Sequence, residues 1–125
     1  MNSYFNFRIQ GVPYGHQKHR GNISALREWS NQIIEQTKNF PKVKEARILK
    51  VTFLLPPDKF PSDLPYGPDL DNLLKRLLDG LKQTIFSDAP GNDSCVISLK
   101  VMKAKVPSTE QAGVHIEVLP VSVKA

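Results

Sequence analysis

Residues 68 to 81 read PDLDNLLKRLLDGL: Asp69 and Asp71 stand two apart at the entrance of a leucine-rich stretch, and Lys75 follows four residues after the second. Two carboxylates this close repel unless a cation joins them. Mg²⁺ is the natural cation, because it takes hard oxygen ligands and keeps waters that can be activated. A lysine one turn further in can neutralise a phosphate oxygen or steady a leaving group. Asp88 and Asp93 lie downstream, before the next strand, and either can supply a third carboxylate. Asp93 directly precedes Ser94, Cys95 and the apolar pair Val96-Ile97, where a strand anchors the backbone, whereas Ala89-Pro90-Gly91 separates Asp88 from it. Rigidity favours Asp93, with Asp88 the alternative. The chemistry would be metal-assisted hydrolysis of a phosphodiester. The same residues also suit a purely structural role: Pro68 fits the approach to a helix, and either aspartate can accept first-turn N–H groups near the positive end of the dipole.

The stretch itself must be an amphipathic helix. At about 100° per residue, Leu70, Leu73, Leu74, Leu77, Leu78, Leu81 and Ile85 share one arc, with Asp71, Lys75 and Lys82 along its border. Asn72, Arg76, Asp79 and Gln83 then face solvent. Asp71 and Lys75 form an i,i+4 pair, which on an exposed helix stabilises by only ~0.5 kcal/mol.

Around this helix the chain alternates elements. "YFNFRIQ" sets Phe5, Phe7 and Ile9 against Asn6, Arg8 and Gln10, a half-buried strand. Leu26, Trp29, Ile33 and Thr37 recur at helical spacing from Ser24 to Lys38, and Pro41 limits that helix. "ARILKVTFLLP" reads as a mostly buried strand, and "PDKFPSDLPYGP" as a linker or ordered irregular loop. "CVISLKVMKAK" and "GVHIEVLPV" close the chain as strands joined by the turn-like "VPSTEQAG". The order is β-α-β-α-β-β. We expect one α+β domain over residues 1–125, with one mixed sheet and two helices packed on one face.

With 125 residues, 40% of them hydrophobic, the chain can build one real core. Cys95 is its only cysteine, which excludes an intrachain disulfide and a cysteine zinc cage. The N-terminus lacks the basic and apolar regions of a secretory signal, and no apolar run approaches membrane-spanning length. A soluble cytoplasmic protein is expected, with no membrane partner and no small-molecule cofactor.

The net charge is +5, unevenly spread. All seven aspartates fall between residues 58 and 93 with four basic residues, a net of −3. The remaining 13 basic residues face five glutamates, a net of +8. An acidic centre in a basic chain suits a metal site within a polyanion-binding surface, although aspartates also favour turns. His16, Lys18, His19 and Arg20 form a basic loop cluster that can contact DNA phosphates or simply be solvated. Lys100 and Lys103 can line the same surface, or protect a strand edge. Trp29 reads as core, Cys95 as a small buried residue and His115 as packed or solvated.

The segment "PDLDNLLKRLLDGL…FSDAPGNDSCVISLKVMK", together with "YFNFRIQGVPYG", resembles the RusA-type Holliday junction resolvases over nearly the whole chain. The resemblance implies a homodimeric, Mg²⁺-dependent endonuclease that cuts four-way DNA junctions symmetrically, with Mn²⁺ a possible substitute. It places catalytic roles on Asp69, Asp71, Lys75 and a downstream aspartate. Here "FSDAPGND" spreads an acidic pair that the family usually keeps adjacent, so either Asp93 or Asp88 can match the family's downstream aspartate. The competing reading is a non-catalytic nucleic-acid-binding protein whose aspartates are helix caps.

Overall fold

The structure is a computed structural model that describes residues 4–15, 23–45, 47–59, 68–88 and 95–120. Strand β1 (Phe5–Gln10) leads to helix α1 (Ile23–Thr37), strand β2 (Arg47–Leu55), helix α2 (Leu70–Leu81), and strands β3 (Val96–Lys105) and β4 (Gly113–Pro120). The expected α+β order is therefore observed, with most element ends shifted by one or two residues and α2 ending at Leu81, four residues before Ile85, which lies in the turns that follow. Short 3₁₀ turns at Pro57–Lys59 and Thr109–Gln111 complete the described elements.

The four strands form one mixed sheet in the order β1-β4-β2-β3. β4 does not pair with β3, its neighbour in sequence. It inserts between β1 and β2, antiparallel to both, while β2 and β3 run parallel across the α2 crossover. Burial explains the order. β2, with Lys50 its one exposed residue, takes an interior position, and the lysine-bearing β3 takes an edge.

One face of the sheet is covered. Phe7 and Ile9, then Val114, Ile116 and Val118, then Leu49, Val51, Phe53 and Leu55 form a continuous apolar layer. Trp29 and Ile33 of α1 and Leu73, Leu77 and Leu81 of α2 pack onto it in one cluster, so both helices lie on the same side. The opposite face carries Asn6, Glu117, Lys50 and Lys100 in one register row, and no described element covers it. Cys95 is half-buried against the core, and His115 is half-buried on the open face, with Nε2 3.4 Å from Asn6 Oδ1.

Polar links fix where the helices sit. Gln36 of α1 binds both backbone groups of Gln10, at 2.9 and 2.8 Å, and so anchors α1 to the end of β1. Beyond the C-terminus of α2, Thr84 meets Thr37 through a buried hydroxyl pair at 2.8 Å, and Lys42 donates to the Thr84 carbonyl.

The helices touch most closely at Gly80. A methyl there would stand 2.6 Å from Ile33 Cγ2 and 3.1 Å from its Cβ, with Ile33 fully buried. Overpacking of this kind costs roughly 1–3 kcal/mol. That outweighs the roughly 1 kcal/mol by which alanine beats glycine inside a helix. Gly80→Ala is therefore expected to lower the thermal midpoint, measured by calorimetry; an unchanged or raised midpoint would refute the close contact.

Candidate active site at the mouth of the second helix

Asp69 occupies the N-cap position of α2, with extended backbone (φ −68°, ψ 142°), and its carbonyl accepts the Leu73 N–H at 3.0 Å. Its side chain makes no capping hydrogen bond. Among the described residues, Asp71 Oδ1 accepts a single local bond, from the Asn72 N–H at 3.0 Å. The capping role open to these aspartates on sequence grounds is thus filled in position but not in chemistry: the Asp69 carboxylate is not spent on the helix.

Asp69, Asp71 and Lys75 are all exposed. The ion pairs among the described residues are Lys38–Glu35, Arg47–Glu45 and Lys82–Asp79, so Asp71 and Lys75 do not close on each other. Both charges remain available to a ligand. Asp79 on the helix and Gln83 in the turn beyond it are exposed as expected, whereas Asn72 and Arg76 are half-buried and Leu70 is exposed.

The mouth is held from behind. Leu73 and Leu77 are fully buried beneath it. Gly15, in the loop after β1, lies so close that a methyl there would stand 2.8 Å from Pro68 Cβ and 2.9 Å from Leu73 Cδ2. Lys103 of β3 donates from Nζ to the Pro68 carbonyl at 3.1 Å. A cleft of about 300 Å³, lined by Tyr14, Trp29, Lys59 and Pro68 among others, adjoins the same turn.

The structure does not bring Lys100 and Lys103 together. Lys100 pairs with Lys50 on the open face, whereas Lys103 stands opposite Phe53 on the covered one. Sequence reasoning missed the position of Lys103 at the mouth and the role of Gly15. The signal for Lys103 was its alternation with Leu99 and Val101, which puts it on the inward set of β3.

Asp93 and the cluster His16, Lys18, His19 and Arg20 lie outside the described residues. Asp88 is exposed beyond the end of α2. Among the described residues no three His, Cys, Asp or Glu side chains gather closely enough to hold a metal ion, so Asp88 does not complete a set with Asp69 and Asp71. Val96 at the start of β3 lies beside Leu78, and Lys103, seven residues or roughly 23 Å of strand further on, reaches Pro68. The start of β3 is thus at the end of the strand away from the mouth.

The donor set fits a hard divalent cation in kind: exposed carboxylate oxygens on one helical turn, one pair of them free of capping duty, beside a lysine that binds neither.

A small α+β domain with carboxylates and a lysine at a helix mouth, in a chain of net charge +5, is a scaffold suited to phosphodiester chemistry. The family model for the endodeoxyribonuclease RusA matches residues 14–119, and the chain belongs to that family. The family is one of endonucleases that resolve Holliday junctions. A comparison with curated proteins found no match. No helix among the described residues is long and apolar enough to cross a membrane.

Proposed function

We propose that this chain is a Mg²⁺-dependent endodeoxyribonuclease that resolves four-way DNA junctions by paired symmetric nicks, in recombination and repair in the cytoplasm. The observation that carries this reading is the exposed trio Asp69, Asp71 and Lys75, with Asp69 free of capping duty and Lys75 not paired to Asp71. Residues 1–125 act as one domain. Asp69 and Asp71 hold the metal, with Asp93 the third carboxylate and Asp88 its alternative. When bound, the cation supplies an acidified water and charge to offset the developing oxyanion. Lys75, one turn along the helix, donates to a non-bridging oxygen of the scissile phosphate and steadies charge there. The cleft beside Pro68 gives the strand flanking that phosphate a place to lie.

The second copy of a homodimer supplies the second nick, since two-fold symmetry presents two equal sites to strands of like polarity. It also suits the opposed ends of β3: a carboxylate carried before Val96 reaches the mouth of α2 more readily across a two-fold axis than along its own strand. His16, Lys18, His19, Arg20 and Lys100 contact backbone phosphates.

Purified protein incubated with labelled duplex, fork and four-way junction, with and without Mg²⁺, tests the reading. Paired nicks in the junction alone, and only with metal, are expected; binding without cleavage in Mg²⁺ or Mn²⁺ would leave the non-catalytic DNA-binding reading. Sedimentation of the same preparation should show a dimer, and a 14.0 kDa species that still cleaves would refute the two-fold arrangement. Junction affinity should also fall steeply with salt, because the positive charge lies outside the aspartate window. Lys18→Ala with Arg20→Ala is expected to flatten the slope by roughly one unit per lost phosphate contact. An unchanged slope would move the DNA path away from that loop.

A further inference from the structure

Lys103 sits where a strand residue should be apolar. It stands opposite Phe53, in line with Val101 and its partner Val51, on the face that the helices cover. A lysine in such a place lays its stem along the core and must carry its ammonium to an acceptor, because a buried charge without one is costly. The ammonium reaches the Pro68 carbonyl at 3.1 Å, in a half-buried bond that joins residues 35 apart in sequence. Pro68 is bonded to Asp69, whose own carbonyl accepts the N–H of Leu73. The grip therefore falls one residue before the acidic pair.

The Asp69 side chain does not tie down the start of its own helix. Lys103 supplies an attachment from outside, and Gly15, pressed against Pro68 and Leu73, supplies the other. Lys75 differs in kind: it is exposed on the helix and free to approach a phosphate, whereas the Lys103 amine already binds the backbone.

We infer that Lys103 is a positioning residue, one that fixes the turn carrying Asp69 and Asp71 so that both carboxylates face one divalent cation. This inference rests on the nuclease reading above. Mg²⁺ demands near-octahedral geometry, and a site works only when its ligands are held within about 0.5 Å of the productive arrangement. Groups that orient ligands from behind are worth about 10–100-fold in metal affinity or activity.

The experiment compares wild type with Lys103→Met and Lys103→Arg. Calorimetry measures Mn²⁺ affinity without DNA, hydrogen exchange reads the Leu73 amide, and cleavage is followed across a Mg²⁺ titration. Lys103→Met, which keeps the apolar stem, should bind Mn²⁺ about 10–100-fold more weakly and need correspondingly more Mg²⁺. Its Leu73 amide should exchange faster while junction binding stays near wild type. Lys103→Arg restores a donor and should recover Mn²⁺ affinity to within a few-fold. Wild-type Mn²⁺ affinity in Lys103→Met overturns the inference. So does weaker junction binding with a flatter salt slope and unchanged metal affinity, which would make Lys103 a phosphate contact. If Lys103→Met does not fold, Lys103→Arg decides, and a tenfold loss of Mn²⁺ affinity there overturns the inference. A wild type that binds no Mn²⁺ and cuts no junction fails the nuclease reading itself before any variant is compared. Variants that match an active wild type overturn this inference alone.

Discussion

Asp71→Asn should remove junction cleavage, by more than about 10²-fold, while leaving junction binding intact or tighter. Loss of a partner behind a metal ligand already costs about 10–100-fold, and loss of the ligand's charge costs more. Binding gains because a negative charge near the phosphates disappears. The fold should survive. Asp71 is exposed, its one hydrogen bond among the described residues comes from the adjacent Asn72 N–H, and the amide oxygen of asparagine can accept the same bond. What is lost is a favourable charge near the helix N-terminus, worth about 0.3–1 kcal/mol. Parallel measurements of cleavage, junction affinity and thermal midpoint separate the outcomes. Equal loss of cleavage and binding, with a lowered midpoint, would return Asp71 to a structural role.

The second large effect distinguishes Asp93 from Asp88. Asp93→Asn should be inactive at any Mg²⁺ concentration, while Asp88→Asn keeps activity and at most needs more metal. Asp88 is exposed past the end of α2 and gathers with no acidic pair among the described residues. Asp93 lies outside the described residues, and Cys95, two residues after it, packs on the core. Cleavage across a Mg²⁺ titration reads the ranking, and the opposite order would assign the third carboxylate to Asp88. The opposed ends of β3 add a sharper form of the test. If the third carboxylate crosses a two-fold axis, mixing the inactive Asp71→Asn and Asp93→Asn proteins assembles one intact site per mixed dimer and restores nicking of one strand. No recovery after verified subunit exchange would place all the carboxylates of a site on one chain.

The elements and the acidic mouth were legible in the sequence because both depend on local patterns. Period-two alternation marks Phe5–Gln10, a nearly continuous apolar run marks Arg47–Leu55, and the leucine spacing marks Leu70–Leu81 with Asp69 at its cap. Apolar stripes on two helices and on one side of each strand were enough to imply a single covered face. Strand order was not legible. β3 and β4 are consecutive and close in sequence, yet β4 pairs with β1 and β2, because the most apolar strand takes the interior and the lysine-rich one an edge. The Asp69 cap is a similar case. Position along the chain predicts a capping aspartate, but whether a carboxylate turns to its own backbone depends on what else holds the turn. Here Gly15 and Lys103 hold it, from residues 53 before and 35 after Pro68. Lys100 and Lys103, alike in sequence as strand lysines, were parted by register: one lies on the open face beside Lys50, the other behind the acidic pair. Local spacing determines which residues can do chemistry, whereas burial of distant apolar surface decides which of them meet.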